Sequence, residues 1–286
     1  MLVVGPASAA MGGVRKAVIP AAGLGTRLYP FTKVLPKEML PLLNKPLIHY
    51  VVEEAVAAGV DDILIVVSRN KEALIDYFDK PPSGLEDNVT HLLEKATLYY
   101  VRQREALGLG DAIRYARKHV GGEPFAVLLG DTVFDRPVLG ELVGVFMDKG
   151  CPVMGVERVD PSLASRYGIV EGEVRGDLVE ITRMVEKPTN PPTNIAITGP
   201  YILTSEVFDY LERTGPGAKG EIQLTDALAH YPRKLGYFVK AKRYDIGDVD
   251  SWLRANMELS GVLTERANTI QGVATPNTLR GEGELK

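Results

Sequence analysis

Residues 16–27, Lys16-Ala17-Val18-Ile19-Pro20-Ala21-Ala22-Gly23-Leu24-Gly25-Thr26-Arg27, run from a short apolar strand directly into a glycine turn. Ala17, Val18 and Ile19 are what a strand buried on both faces requires. Gly23 and Gly25 let main chain approach a ligand closely, and successive backbone N–H groups there can cradle phosphate or a base edge. In open α/β sheets ligands sit outside the carboxyl ends of the strands, which is where this turn falls. Outward from it the same alternation repeats. Pro46 takes a first-turn position, and Leu47, Ile48, Val51, Val52, Ala55 and Val56 recur at helical spacing until Gly59. Residues 62–67 read as a second buried strand and 71–78 as a short helix. Residues 98–101 and 125–129 are two more strands, with a helix over 111–119 between them. Near-continuous apolar strands alternating with helices predict an α/β fold, a Rossmann-like mixed but mostly parallel sheet flanked by helices.

The second half has a different texture. Short strands are expected at 153–159, 168–174, 178–185 and 195–203, separated by turn residues such as Gly176-Asp177 and the proline-rich stretch 187–192. A helix over 222–230, a strand at 237–239 and a helix over 249–263 complete the ordered pattern. Residues 1–13 read as a flexible leader. Ala7-Ser8-Ala9 resembles a signal-peptide cleavage site, but a basic n-region is lacking and the apolar run stops at Val4; Met11 is an alternative start. Residues 271–286, rich in Gly, Pro, Thr and charge, read as a mobile tail.

Composition narrows the function classes. The chain has 286 residues, 45% hydrophobic, with 33 Lys+Arg against 37 Asp+Glu and a formal net charge of −4. That length buries a sizeable core without staples, and a weakly acidic balance argues against nucleic acid or an anionic membrane as partner. The lone Cys151 excludes an intramolecular disulfide and any CxxC site, which favours a reducing, cytoplasmic setting. No stretch is apolar for long enough to span a membrane. His49, His91, His119 and His230 form no metal-ligand spacing with the cysteine, and Ser251 and Ser260 lack a nucleophile-elbow context, so a covalent hydrolase has no support.

The glycine turn fits neither familiar nucleotide motif. A dinucleotide fingerprint needs a third glycine where Leu28 stands, which sets aside an NAD-linked dehydrogenase, and a P-loop needs Gly-Lys-Ser/Thr where Leu28-Tyr29 follows. Beyond the turn, Pro30, Pro36, Pro41 and Pro46 keep about sixteen residues out of a regular helix. Long irregular segments are commonly functional. Arg27 and Lys37, cations on a constrained loop beside a glycine turn, suit a polyphosphate, whereas Lys33 reads as an ordinary solvated residue. Leu129-Gly130-Asp131 places a carboxylate at the same sheet edge, and Asp245-Ile246-Gly247-Asp248 places two more before the last helix. Mg²⁺ takes one or two carboxylates plus phosphate oxygens and water. Spacing leaves Asp245 and Asp248 open, since an aspartate before a helix also serves as a cap.

The stretch IPAAGLGTRLYPFTKVLPKEMLPLLNKPLIHYVVEEAVAAGV (19–60) resembles the signature of the sugar-1-phosphate nucleotidyltransferases, above all the bacterial and archaeal type that joins UTP to glucose 1-phosphate. VRQREALGLGDAI (101–113), LLGDTVF (128–134), YGIVEGE (167–173), VEKP (185–188), NIAITGPYIL (194–203), GEIQLTDAL (220–228) and YDIGD (244–248) follow in the family's order. The short motifs are individually weak and collectively specific. GLGTR, RQ followed by GLG, and EIQLTD look like the uridylyltransferases; LLGD resembles the thymidylyltransferase side, so use of dTTP beside UTP is an open expectation.

The resemblance implies a nucleotide-diphospho-sugar transferase fold over 14–270, with a nucleotide-binding part near 14–135 and a sugar-binding part near 150–250. It implies backbone contacts to the nucleotide from Ala21, Ala22, Gly23 and Gly25, and base reading by Gln103 and Gly108. Arg27 and Lys37 would meet the phosphates, and Asp131 and Asp245 would hold Mg²⁺, leaving Asp248 as a cap. Lys187 would hold the sugar phosphate, Glu186 and Gly168 the hexose, with Asn194 and Thr198 as further sugar-side candidates. It also implies UTP and glucose 1-phosphate as small-molecule substrates and a homodimer or homotetramer. A non-catalytic sugar-nucleotide-binding subunit is the rival from another class. Such a protein would be expected to lose Arg27, Lys37 or an aspartate, and all are present.

Overall fold

The computed structural model describes residues 13–82, 89–217 and 220–273, with side chains described as far as residue 261. These residues form β1 (Lys16–Pro20), β2 (Pro41–Leu42), β3 (Lys45–Pro46), α1 (Leu47–Ala57), β4 (Asp62–Val67), α2 (Glu72–Asp76), α3 (Val89–Leu93), β5 (Thr97–Arg102), α4 (Leu109–Arg114), α5 (Arg117–Val120), β6 (Phe125–Val127), β7 (Thr132–Phe134), α6 (Leu139–Lys149), β8 (Val153–Arg158), β9 (Gly168–Arg175), β10 (Leu178–Glu186), β11 (Ile195–Leu203), α7 (Val207–Arg213), α8 (Leu224–Leu228), β12 (Leu235–Phe238), β13 (Arg243–Asp245) and α9 (Val249–Val273).

Among the described residues nine strands share one sheet in the order β5-β4-β1-β6-β11-β8-β12-β10-β9, and β9 also reaches β11 through Ala196 and Ile169. β5, β4, β1 and β6 run parallel, each joined to the next through helices. β11 enters antiparallel between β6 and β8, and β10 is antiparallel to both β12 and β9. The sheet is therefore mixed, as expected, with parallel pairing concentrated in the first half and between β8 and β12. The short turn at Gly176-Asp177 dictates the antiparallel β9–β10 pairing, because adjacent strands joined by so few residues pair only antiparallel.

The alternation of side chains along each strand feeds two apolar layers. Val18, Leu64, Val66, Phe125 and Val127 pack on one face against Ile113, Phe208, Leu211 and Leu228, from α4, α7 and α8. Ala17, Ile19, Ile63, Ile65 and Ala126 pack on the other against Ile48, Val52, Leu74 and Leu142, from α1, α2 and α6. Each fully buried Val, Leu, Ile or Phe is worth roughly 1.5–3 kcal/mol of transfer free energy, so both layers are needed to hold the strand ends that carry the site. A third cluster, with Leu28, Leu40, Leu42, Val133, Tyr244 and Ile246, packs the proline-rich loop and α9 over the β7–β13 ribbon.

Several elements depart from the sequence reading. The helix expected over 111–119 is two short ones, α4 and α5. Helices α6 and α7 were not anticipated: Gly140 and Gly144 depress local propensity in α6, and α7 is only two turns long. α9 runs on to Val273, so residues 271–273 of the expected tail continue that helix. Residues 1–12 and 274–286, the rest of the expected leader and tail, lie outside the described residues; of the expected leader Gly13 alone is described.

Candidate active site

The loop after β1 is held at its start by the Ala21 amide, which donates to Val66 O at 2.8 Å. Ala21 and Ala22 are buried against the sheet, while Gly23 is exposed. Gly25 adopts φ +64°, and a Cβ there would stand 2.9 Å from Thr32 Cγ2 and 3.3 Å from Lys37 Cβ, so the position is closed to side chains. Its carbonyl accepts from Thr32 Oγ1 at 2.9 Å. The prolines divide the following segment into three 3₁₀ turns, at Thr26–Leu28, Phe31–Lys33 and Lys37–Met39. These turns bring Lys37 back beneath the glycine loop, its Nζ 3.7 Å from where a Cβ on Gly23 would lie. Lys33 stays exposed on the middle turn.

Lys37 Nζ meets Asp131 Oδ2 at 2.5 Å. Burial opposes ionisation of both groups, but each overrides it for the other. The Asp131 carboxylate, with Glu38 and Asp245 behind it, raises the Lys37 ammonium above its ordinary value. Lys37 and, more weakly, Arg27 hold the Asp131 carboxyl below its ordinary value. Asp245 lies beside Asp131 because β13 pairs with β7, Asp245 opposite Thr132, and the Ile246 amide donates to Asp131 O at 3.0 Å. The Arg27 guanidinium lies flat against Gly247, its atoms 3.1–3.3 Å from where a Cβ would project. Asp248 caps α9: its Oδ1 accepts from the Ser251 amide at 2.9 Å while Ser251 Oγ accepts from the Asp248 amide at 3.1 Å.

Asp131 and Asp245 suit a hard dication that keeps part of its shell for phosphate and water. Among the described residues no cluster of three or more His, Cys, Asp or Glu could hold a metal, which argues against a closed structural metal cage. Asp245 is steadied by Arg243, whose NH1 approaches Asp245 Oδ2 at 3.1 Å and whose NH2 approaches Glu157 at 2.5 Å. The same guanidinium lies over the Tyr167 ring at 5.3 Å. Sequence reasoning missed Arg243; its place two residues before Asp245 in a strand was the only local signal.

Gln103 follows β5 and is buried. Its Nε2 donates to Asp111 Oδ2 at 2.7 Å and faces Gly108 O at 3.4 Å. A carboxylate accepts and never donates when ionised, so Asp111 fixes the amide's orientation and leaves Oε1 as the atom that can accept from a base edge. Gly108 has φ +104°, and a Cβ there would press to 2.7 Å from Ile222 O. The segment after β5 is clipped to the segment before α8 by Ile222 N→Leu107 O at 2.8 Å and Gly110 N→Ile222 O at 2.9 Å.

That clip opens onto a cleft whose walls include Tyr167, Gly168, Glu186, Lys187 and Thr225, with Leu109 from the start of α4. Glu186 is held at both oxygens, by Lys187 Nζ at 2.7 Å and by Thr225 Oγ1 at 2.6 Å. Lys187 adopts φ +43°, a left-handed conformation that costs a non-glycine residue free energy, and its amide donates to Tyr167 O at 3.0 Å. Gly168 has no room for a side chain: a Cβ would lie 2.7 Å from Thr225 Oγ1. The structure sets Thr198 apart from this group. It is buried, its hydroxyl 3.5 Å from Gly155 O, where the β11–β8 register shifts between Ile197 and Tyr201. Asn194 likewise turns its amide to Val159 O, at 2.9 Å. Arg166, Glu221 and Gln223, which sequence reasoning did not single out, share the cleft wall.

A mixed α/β sheet with a glycine turn, a lysine–aspartate pair and a polar cleft along one edge suits a nucleotide-handling transferase, and the chain belongs to the nucleotidyl transferase family, whose sequence profile matches residues 16–261. It is 44% identical over 264 residues to UTP--glucose-1-phosphate uridylyltransferase 2 of Staphylococcus saprophyticus, covering 86% of this chain and 91% of that one. The crystal structure of a UDP-glucose pyrophosphorylase complexed with UDP-glucose matches with a TM-score of 0.81 at 41% identity, covering 87% of this chain and 99% of the other. A UTP-bound enzyme of the same kind from Acinetobacter baumannii matches with a TM-score of 0.76 at 32% identity, covering 88% and 99%.

Proposed function

We propose that this protein transfers a uridylyl group from UTP to glucose 1-phosphate, giving UDP-glucose and pyrophosphate. The observation that carries the reading is the Lys37–Asp131 pair seated under the glycine loop, with Arg27 and Asp245 beside it. A sugar-phosphate oxygen, anionic at neutral pH, attacks the α-phosphorus as the bond to the departing pyrophosphate breaks. Such a step needs no proton acceptor and no covalent intermediate, so positioning and charge neutralisation supply the rate. Ala21, Ala22, Gly23 and Gly25 present backbone to the nucleotide. Arg27 steadies the leaving pyrophosphate, and Lys37 offsets charge at the α-phosphate. Lys187 holds the sugar phosphate, while Glu186 accepts from hexose hydroxyls against the bare backbone of Gly168. Gln103, oriented by Asp111, offers Oε1 to the N–H of a pyrimidine edge. Mg²⁺ held by Asp131 and Asp245 supplies charge neutralisation for the phosphates when bound. A homo-oligomer in the cytoplasm completes the reading; among the described residues no helix is long and apolar enough to cross a membrane.

The test is pyrophosphate release with Mg²⁺, glucose 1-phosphate and either UTP or dTTP, with an EDTA control. Metal-dependent release with UTP is expected. Uracil and thymine differ by one methyl, worth only about 1–3 kcal/mol in a pocket, so slower release with dTTP is compatible with the reading. No release with UTP while dTTP or another sugar phosphate reacts would move the assignment to that substrate.

A further inference from the structure

Behind Lys37 lies a second ion pair that the proposed reaction does not use. Glu38, the next residue on the same 3₁₀ turn, has no exposed surface, and Lys71, just before α2, is 5% exposed. Lys71 Nζ donates to Glu38 Oε2 at 2.6 Å, across 33 residues of chain, while Glu38 Oε1 has no hydrogen-bond partner among the described residues. The Glu38 side chain lies against Gly130, where a Cβ would come 3.1 Å from Glu38 Cγ and 3.3 Å from Pro20 O. One buried pair therefore touches three loops at the carboxyl ends of β1, β4 and β6. It adjoins Lys37 in sequence on one side and, through Gly130, Asp131 on the other.

Stability alone does not account for it. Burial pushes the Glu38 carboxyl up and the Lys71 ammonium down despite their contact, and a desolvated pair with an unsatisfied oxygen is commonly no better than apolar packing. Its charges do alternate with the working ones, as Lys71⁺, Glu38⁻, Lys37⁺, Asp131⁻. Glu38 raises the Lys37 ammonium, and on Lys71 the attraction of Asp131 opposes the repulsion of Lys37. We infer that Glu38 and Lys71 are positioning residues for the transferase reaction, a buried clamp that fixes Lys37 and Asp131 relative to each other and supplies the counter-charge when phosphate draws Lys37 away from Asp131. The inference rests on the proposed uridylyl transfer.

A group that acts by placing Lys37 in the transition state lowers kcat more than it raises KM. Replacing both partners by apolar side chains of similar length, Glu38→Met with Lys71→Met, removes the charges without leaving one buried alone. Steady-state kinetics should show kcat at least about tenfold lower, KM for UTP and glucose 1-phosphate within about threefold of wild type, and little change in melting temperature. Lys71→Arg, which keeps the charge, should retain kcat within about threefold. Should the double variant not fold, Glu38→Gln with Lys71→Met, which likewise leaves no charge buried alone, serves the same comparison. Wild-type kcat in either double variant overturns the clamp. Wild-type protein that releases no pyrophosphate from UTP overturns the reading beneath it instead, so the two failures are distinct.

Discussion

Asp131 carries two relationships at once, an ion pair with Lys37 and a place beside Asp245 on the β7–β13 ribbon. Asp131→Asn keeps the shape and removes the charge. Turnover at saturating Mg²⁺ should fall by about 100-fold or more, while the melting temperature drops by no more than about 5 °C. Unchanged turnover would sink the metal assignment. Lys187 is separable from the nucleotide side because its partners, Glu186 and the Tyr167 carbonyl, belong to the cleft. Lys187→Ala should raise KM for glucose 1-phosphate about tenfold and KM for UTP less than about twofold; the reverse pattern refutes its role. Arg27, Lys37, Asp131 and Asp245 stand out in the sequence as candidates from loop chemistry and motif resemblance, and the fold brings the four together. Arg243, Asp111 and Thr225 were not, because each works by gripping another side chain, and nothing in a sequence marks which distant group a buried polar residue will meet.

At the scale of elements, the nine strands of the main sheet were the readable part, β11 down to its ends at Ile195 and Leu203, whereas the short β2–β3 and β7–β13 ribbons were not. Long apolar β-branched runs leave few alternatives. Helix α6 shows the opposite case. Its buried Leu139, Leu142 and Val143 make an apolar face, but Gly140 and Gly144 weaken the helical signal between them. A Cβ at Gly144 would meet nothing within 4 Å. Gly144→Ala should therefore stabilise the protein by about 0.5–1 kcal/mol, read as a higher urea midpoint. A lower midpoint would mean that another surface, such as a second copy of the chain, packs on that side of the helix.

For the whole molecule, the architecture predicts a fold that does not depend on the proposed metal. Two apolar layers and a third cluster under α9 hold the sheet edge in place with no closed metal cage among the described residues. EDTA should thus cut pyrophosphate release by about 100-fold or more yet shift the melting temperature of the substrate-free protein by no more than about 1 °C. A large melting shift would reveal a structural metal that the donor chemistry gives no reason to expect.

By itself, the sequence determined the strand–glycine-turn junction at residues 16–27, the α/β alternation of the first half, and the ordered motifs that carry the family. Those features depend on neighbours within a few residues, where periodicity and turn chemistry act directly. Tertiary structure alone decided that β11 enters between β6 and β8, that Lys37 and Asp131 meet across 94 residues of chain, that Glu38 and Lys71 close a buried pair behind them, and that Thr198 is buried with its hydroxyl toward Gly155. The physical reason is that a charge or hydroxyl acquires its partner only when the sheet closes, and closure is set by the summed packing of both apolar layers rather than by any local run of residues.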